Sequence, residues 1–194
     1  MNGLESERNL LAKKSNNLNG TIAIPGDKSI SHRAIMISML AEGKSKIYNY
    51  LEAEDTLTTI NVARQLGIEI NQSANFIEVK GKGLAGIQQP LKDLYFGNSG
   101  TSMRLFMGML SAQDFPSILT GDDSLSQRPM ERVAMPLRKM GAIINMENNQ
   151  APIFIQPAKE ILGIEHALDI ASAQVKSAIL LAALYANPKT VIVS

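Results

Sequence analysis

Four short segments of the sequence bring basic side chains to the start of a predicted helix. They are residues 25–33 (PGDKSISHR), 97–104 (GNSGTSMR), 122–130 (DDSLSQRPM) and 172–177 (SAQVKS). A helix N-terminus offers unpaired N–H groups and the positive end of the helix dipole, so it favours anions. Lysine adds a point charge there, and arginine can bind an anion in bidentate geometry. Together the four segments predict a site for a doubly anionic small molecule.

The first segment carries three side chains that could hold one phosphate. Ser29 and Arg33 lie four residues apart, so they share one face of the predicted helix, and Lys28 adds a charge beside them. An ordinary helix N-cap with a solvated lysine and arginine is the alternative interpretation. We assign no role to His32 and expect it to be packed or solvated.

The second and third segments add two arginines. Gly100 permits close backbone approach, and Arg104 lies on the same face of an almost wholly apolar helix, where a buried guanidinium needs an anionic partner. Pro129 suits the first position of a helix, which would place Arg128 beside that helix's N-terminus. A glycine-rich turn with Arg104 reaching solvent, and a simple turn at residues 122–124, are the alternatives.

The fourth segment offers neutral donors. Ser172 and Gln174 suit hydroxyl groups or a carboxylate, although Ser172 could equally be a plain N-cap. We expect Lys176 to be solvated or paired.

Composition excludes several classes of function. The 194 residues carry 19 Lys and Arg against 18 Asp and Glu, a net charge of +1, and aromatic residues do not accompany the basic segments, so nucleic acid is not an expected partner. The absence of Cys excludes disulfides, thiolate metal sites and a cysteine nucleophile, and no metal is expected. Neither a dinucleotide-binding glycine motif nor a Walker A motif occurs. With no targeting segment and no apolar run of bilayer length, we expect a cytoplasmic protein without a membrane partner.

Weak internal repetition predicts an α/β fold built from β-α-β-α-β-β units. The units cover residues 20–90, 91–160 and 161–194. The first helix of each of the first two units, at residues 30–40 and 103–110, is apolar on nearly all sides, which is typical of buried helices. Residues 57–66 form an amphipathic second helix that ends at Gly67, as its counterpart ends at Gly141. Ile22 and Ile24 predict a strand. The third unit stops in a strand, so we expect a truncated chain or one that needs a partner segment.

Three of these segments resemble the 5-enolpyruvylshikimate-3-phosphate synthase family of 3-phosphoshikimate 1-carboxyvinyltransferases. The resemblance rests on GDKSISHR at residues 26–33, GNSGTSMR at 97–104 and QRPM at 127–130, with SAQ at 172–174 as a fourth match. It extends from about residue 20 to the end of the chain. It implies the enolpyruvyl transferase fold, an inside-out α/β barrel with buried parallel helices and an active site between two domains. Residues 1–19 would belong to the other, mostly missing domain, and residues 20–194 to an incomplete three-repeat domain.

The resemblance also implies roles for individual residues. Those assigned to shikimate 3-phosphate are Lys28, Ser29, Arg33, Ser172, Ala173 and Gln174. Those assigned to phosphoenolpyruvate are Lys28, Asn98, Gly100, Thr101, Arg128 and Gln174. Lys28 contacts both substrates and is the catalytic candidate, and Arg104 supports the second segment by charge. Ala173 departs from the Ser-Ser-Gln form of some members, which removes one hydroxyl donor.

The implied reaction is an addition followed by an elimination. The 5-hydroxyl of shikimate 3-phosphate attacks C2 of phosphoenolpyruvate while C3 is protonated, and the tetrahedral intermediate then expels phosphate. The resemblance implies no cofactor, glyphosate as an inhibitor, a monomer when complete, and acid–base groups in the remainder of the chain. We therefore expect this chain to be inactive alone. The alternatives are UDP-N-acetylglucosamine enolpyruvyl transferase, which typically uses a Lys-Asn pair and a Cys where this chain has Lys28-Ser29 and no Cys, and a non-catalytic anion-binding module.

Overall fold

The computed structural model describes residues 11–14, 17–168, 170–187 and 190–193. The helices are α1 (Lys28–Leu40), α2 (Glu54–Gln65), α3 (Gly100–Leu110), α4 (Asp123–Ser126), α5 (Glu131–Lys139) and α6 (Ala173–Ala183). The strands are β1 (Glu42–Tyr48), β2 (Glu69–Gln72), β3 (Phe76–Lys82), β4 (Leu94–Tyr95), β5 (Ser117–Thr120), β6 (Ile143–Met146), β7 (Ile153–Gln156), β8 (Glu165–Ala167) and β9 (Val191–Val193). Within those ranges, none of the helices combines the length and the apolar character that crossing a membrane requires.

The first unit forms a three-stranded antiparallel sheet in the order β1-β3-β2. Side chains alternate along the central strand β3, where Ile77 and Val79 are buried and Lys80 faces solvent. Helix α1 packs against β3 and against α2. The alternation of β3 therefore gives the sheet one apolar face that α1 covers.

The second unit shows the predicted order in full, β4-α3-β5-α5-β6-β7, with the short helix α4 inserted before α5. Its four strands pair in the order β4-β5-β7-β6; β4 and β5 are parallel and the other pairs are antiparallel. The third unit repeats the parallel start, since β8 pairs in parallel with β9 around α6. The α/β class predicted from the sequence is confirmed.

The second helix of each of the first two units ends as the sequence predicts. Gly67 and Gly141 have positive φ angles of 83° and 100°, a conformation that glycine adopts at low cost. After α2, the Gly67 N–H donates to the carbonyl of Arg64 and the Ile68 N–H donates to that of Ala63. This pair of bonds satisfies the last carbonyls of the helix and turns the chain into β2.

Helices α3 and α6 run parallel and lie unusually close. Thr101 meets Gln174 at their N-terminal ends, and Gly108 meets Ala178 further along. A Cβ atom on Gly108 would lie 2.1 Å from the Ala178 carbonyl oxygen, so only glycine permits this approach. The buried parallel helices implied by the resemblance are present in this pair.

Two expectations about the first unit are wrong. The segment with Ile22 and Ile24 forms no strand, and both side chains are exposed. Among the described residues, neither isoleucine side chain packs on an apolar surface that would hold this segment beside strand β1. Helix α1 is buried on one face only, because Ile30 and Ile37 are 69% and 60% exposed. Nothing in the described part of the chain packs over that face.

The exposed face of α1 borders an apolar groove. It has a volume of about 360 Å³ and is lined by Arg33, Met36, Ile37, Ser177, Leu180, Leu181 and Leu184. Helices α1, α3 and α6 are the central helices of the fold. The other two grooves between them are filled, because α2 packs against α1 and α3, and α5 packs against α3 and α6. The groove between α6 and α1 is thus the third position of one repeating arrangement.

Candidate functional site

The N-termini of the central helices lie at one end of the fold. Lys28 of α1 contacts Asp55 of α2, and one turn later His32 contacts Thr59, so these two helices start side by side. Gln174 and Thr101 likewise bring together the starts of α6 and α3. The sequence predicts this clustering, and it collects the positive ends of several helix dipoles in one region.

The first segment opens α1 with a capped N-terminus. The Asp27 carboxylate accepts a 2.7 Å hydrogen bond from the Ile30 N–H. Lys28 follows, half-exposed, and its Nζ donates to the Asp55 carboxylate. Sequence reasoning missed Asp55, because an acidic residue in the first turn of a helix is usual at any helix start. The pair places the Lys28 ammonium at the helix start while leaving it accessible to solvent.

Arg33 is held in place by a residue that the sequence analysis did not select. Its Nε and Nη2 donate to the Ser177 hydroxyl on α6 at 3.2 and 2.8 Å, and its Nη1 donates to the Ser29 carbonyl at 3.1 Å. Ser29 and Arg33 therefore do share one face of α1. The Ser177 contact joins residues 144 positions apart, and no local pattern in the sequence signals it.

The second and third segments are joined by Asn98. Its amide donates to the Asp122 carboxylate at 2.9 Å, and its Oδ1 accepts a hydrogen bond from Arg128 Nη2. Hydrogen bonds from the Leu125 N–H and from Asn98 lower the pKa of Asp122, which favours the charged carboxylate. Asp122 thus orients Asn98, and Asn98 orients the Arg128 guanidinium.

Arg104 is half-buried and meets only neutral acceptors in the described ranges. Its Nη1 donates to Gln174 Oε1 at 3.0 Å and its Nη2 to the Pro129 carbonyl at 3.3 Å. Burial, and then the positive charges of Arg128 and Arg132, lower the pKa of Arg104. The anionic partner that the sequence analysis requires is not supplied by those residues, so positive charge stays uncompensated beside the second segment.

Gly100 faces the space between two guanidinium groups. A Cβ atom there would lie 2.9 Å from Arg104 Nη1 and 3.1 Å from Arg128 Nη1. Ser99 caps the same helix, accepting from the Ser102 N–H. The start of α3 therefore places two cations beside Gly100.

The fourth segment lies at the start of α6 and contacts the second segment. Gln174 accepts from Arg104 and donates from Nε2 to the Thr101 hydroxyl at 2.9 Å, so it links two segments. Ser172 is the N-cap of α6 and accepts from the Val175 N–H at 3.3 Å.

The position expected for Pro129 is wrong. Helix α5 starts at Glu131 with Met130 as its N-cap, so Pro129 lies before the helix and not at its first position. Its carbonyl is instead one of the acceptors for Arg104.

The predicted residues thus fall into two groups. Lys28, Ser29 and Arg33 form one on α1, and the second and third segments form the other around Arg104 and Arg128. Helix α6 contacts both groups, through Ser177 and Gln174. Among the described residues, no group of three or more His, Asp or Glu side chains is placed to hold a metal ion.

Comparison with known proteins identifies the family. Residues 12–194 match the family model described as EPSP synthase (3-phosphoshikimate 1-carboxyvinyltransferase). The chain belongs to the EPSP synthase family.

Curated relatives of this EPSP synthase family chain align with nearly its whole length. The 3-phosphoshikimate 1-carboxyvinyltransferase of Ruthia magnifica subsp. Calyptogena magnifica is 49% identical over 182 residues, which are 94% of this chain and 42% of that protein. The one from Petrotoga mobilis is 52% identical over 180 residues, 91% of this chain and 42% of that protein. A solved structure of EPSP synthase from Acinetobacter baumannii matches with a TM-score of 0.86 at 48% identity, over 89% of this chain and 40% of that one.

These comparisons confirm the resemblance and the enolpyruvyl transferase fold of this EPSP synthase family chain. They also show that the chain spans 42% of the length of these curated relatives.

Proposed function

We propose that this chain is the N-terminal part of a 3-phosphoshikimate 1-carboxyvinyltransferase and supplies the phosphate-binding half of its active site. The whole protein would transfer the enolpyruvyl group of phosphoenolpyruvate to the 5-hydroxyl of shikimate 3-phosphate, in aromatic amino acid biosynthesis. One observation carries the proposal. Arg104 and Arg128 flank the start of α3 without an acidic partner for Arg104 in the described residues, where an anion would complete the charge balance.

The α1 group supports binding of shikimate 3-phosphate. Arg33 is fixed by Ser177 and by the Ser29 carbonyl, so its guanidinium is oriented before a ligand arrives. Ser29 and the α6 start, Ser172 to Gln174, would add hydroxyl and amide donors. Lys28 would contact both substrates, exchanging part of its interaction with Asp55 for a phosphate oxygen.

The α3 group supports binding of phosphoenolpyruvate. Because Gly100 has no side chain, the guanidiniums of Arg104 and Arg128 can both approach the start of α3, where an anion would bridge them, and Asn98 holds Arg128 there. The hydrogen bond between Gln174 and Thr101 joins the start of α6 to the start of α3 beside this group.

The reaction needs two kinds of help. Positive charge around the leaving phosphate stabilises the addition and elimination steps, and Lys28, Arg104 and Arg128 would supply it. The groups that protonate C3, accept the hydroxyl proton and later remove a proton from C3 would come from the remainder of the longer protein. The described residues alone would therefore bind substrate without turning it over.

We also propose how the domain is completed. The apolar groove between α6 and α1 would take an amphipathic helix of the longer protein, as α2 and α5 fill the two equivalent grooves. In the longer protein, Ile37→Lys should lower the free energy of unfolding, because it would bury a charge under that helix. In the 194-residue chain, where Ile37 is 60% exposed, the same substitution should have little effect.

Calorimetric titration of the 194-residue chain tests the function. We expect shikimate 3-phosphate to bind more tightly than shikimate or inorganic phosphate, because the site holds both a phosphate and hydroxyl groups. Arg33→Ala should weaken this binding by about 1.5–3 kcal/mol, the value of a hydrogen bond to a charged group. Arg64→Ala is the matched control, since Arg64 on α2 donates to the Ile70 carbonyl.

Two results would contradict the proposal. Equal, weak binding of shikimate 3-phosphate and inorganic phosphate would favour a non-catalytic anion-binding module. An unchanged affinity of Arg33→Ala for shikimate 3-phosphate would show that α1 is not part of the binding site. The cytoplasmic location and the monomeric state of the complete protein stay predictions, and cell fractionation and light scattering of that protein test them.

A further inference from the structure

A buried polar chain runs beneath the site. His32 Nδ1 lies 2.6 Å from the Thr59 hydroxyl, which lies 2.9 Å from the Ser102 hydroxyl. His32, Thr59 and Ser102 all have 0% exposure and come from α1, α2 and α3 respectively. Polar groups are buried at a cost that only hydrogen bonding offsets, so these three side chains restrain one another.

The geometry fixes the protonation state of the imidazole. His32 Nε2 is buried and has no hydrogen-bond partner among the described residues. A proton on Nε2 would leave a buried N–H donor without an acceptor, which is rarer in proteins than an acceptor without a donor. The Thr59 hydroxyl also lies 3.5 Å from the Asp55 carbonyl, so it can donate there and accept from His32. His32 is therefore neutral and carries its proton on Nδ1.

The surroundings of His32 agree with a neutral ring. The pKa of His32 is lowered to about 4, chiefly by burial; Asp55 opposes this shift, and the nearby charges of Lys28 and Arg33 contribute to it.

Each residue of the buried polar chain lies close to a residue of the candidate site. Lys28 and His32 are one turn apart on α1, and Asp55 and Thr59 are one turn apart on α2, so the two contacts between these helices stack. Ser102 follows Gly100 and Thr101 in the first turn of α3. The buried chain therefore sets how the first turns of three helices stand relative to one another.

We propose that His32, in its Nδ1–H form, is a positioning residue that aligns Lys28 with the start of α3 through Thr59 and Ser102. This inference rests on the proposed function, since it concerns the same site. It predicts that the polar chain affects ligand affinity and not only stability.

The experiment compares four variants with the unaltered 194-residue chain. His32→Leu and Thr59→Val remove a donor and an acceptor with little change in size. His32→Asn retains an N–H near the position of Nδ1. Thr58→Val is the matched control, because within the described part of the chain the Thr58 hydroxyl bonds only to the Glu54 carbonyl of its own helix. Circular dichroism establishes that each variant is folded at the temperature used for calorimetry.

We expect His32→Leu and Thr59→Val to weaken shikimate 3-phosphate binding about fivefold to tenfold, in line with the loss of one net hydrogen bond. His32→Asn should stay within about twofold of the unaltered chain because it keeps an N–H for Thr59 to accept. Thr58→Val should do the same, as most substitutions outside such networks do. Nitrogen-15 NMR at pH 7 should show a protonated Nδ1 and an unprotonated Nε2 on His32, assigned by the resonances missing in His32→Asn.

The outcomes separate the two proposals. If the unaltered chain binds selectively but all variants bind equally well, or if NMR finds the proton on Nε2, the positioning role is wrong and the proposed function stands. If Thr58→Val weakens binding as much as Thr59→Val, the effect belongs to α2 in general and the inference is wrong. If the unaltered chain shows no selective binding, the proposed function fails and this inference with it.

Discussion

The close approach of α3 and α6 makes Gly108→Ala a sharp test of the structure. In an ordinary helix interior, replacing glycine by alanine raises helix propensity and stabilises by up to about 1 kcal/mol. Here the new Cβ would lie 2.1 Å from the Ala178 carbonyl oxygen and 2.7 Å from its carbon. The substitution should therefore destabilise the protein, opposite in sign to the effect expected from propensity.

The magnitude follows from the distances. Ordinary contact begins at 3.4 Å, so α3 and α6 must separate by more than about 1 Å at this point. Overpacking costs about 1–3 kcal/mol, and a contact as short as this one belongs at the upper end, so about 3 kcal/mol of strain is offset by about 1 kcal/mol of propensity. We expect a net loss near 2 kcal/mol and a fall in Tm of about 4–8 °C, given the usual scaling for chains of this length.

Denaturant unfolding of the 194-residue chain, followed by circular dichroism, measures this loss. Ala178→Gly in the same molecule serves as a control, because the atoms nearest the new Cβ are all backbone atoms of Ala178. Removing the Ala178 methyl should therefore not restore stability. A neutral or stabilising Gly108→Ala, or full rescue by Ala178→Gly, would refute the helix packing described above.

Three further predictions concern the site. On the proposed function, Gly100→Ala in the complete protein should weaken glyphosate binding more than phosphoenolpyruvate binding, because its Cβ intrudes between two guanidiniums and glyphosate is longer; unchanged glyphosate inhibition of the variant would contradict this. Ser177→Ala should weaken shikimate 3-phosphate binding less than Arg33→Ala does, since it frees the guanidinium without removing it; calorimetry compares them. The free energy of unfolding should fall by about 3 kcal/mol as pH drops from 6.5 to 4, because His32 binds a proton in the unfolded state but stays neutral in the folded state. Denaturant titrations at several pH values measure this, and His32→Asn should lose the dependence.

Local chemistry explains what the sequence could predict. Gly67 and Gly141 end helices because their conformation is set by the residues around them, and the order of the second unit follows from alternating hydrophobic periods. The basic residues of the four segments could be chosen because helix starts and charge types are visible in the chain. Their family motifs added the expected division of these residues between two substrates.

Contacts between distant residues account for what was missed. Asp55 and Ser177 matter only because folding brings them to Lys28 and Arg33, and neither lies in an unusual local pattern. Ile22 and Ile24 alternate like a strand, yet a strand also needs a paired neighbour and an apolar surface, which the described chain does not give them. Periodicity predicts which face is apolar but not what will cover it.

Helix α6 touches both groups of the site, and this has a thermodynamic consequence. Its Gln174 holds Arg104 and Thr101, while its Ser177 holds Arg33. A ligand bound to Arg33 would hold the existing Arg33–Ser177 contact closed and so restrain α6, and a second ligand near Arg104 would then lose less conformational entropy on binding. The two ligands should then raise each other's affinity by the same factor, whichever arrives first.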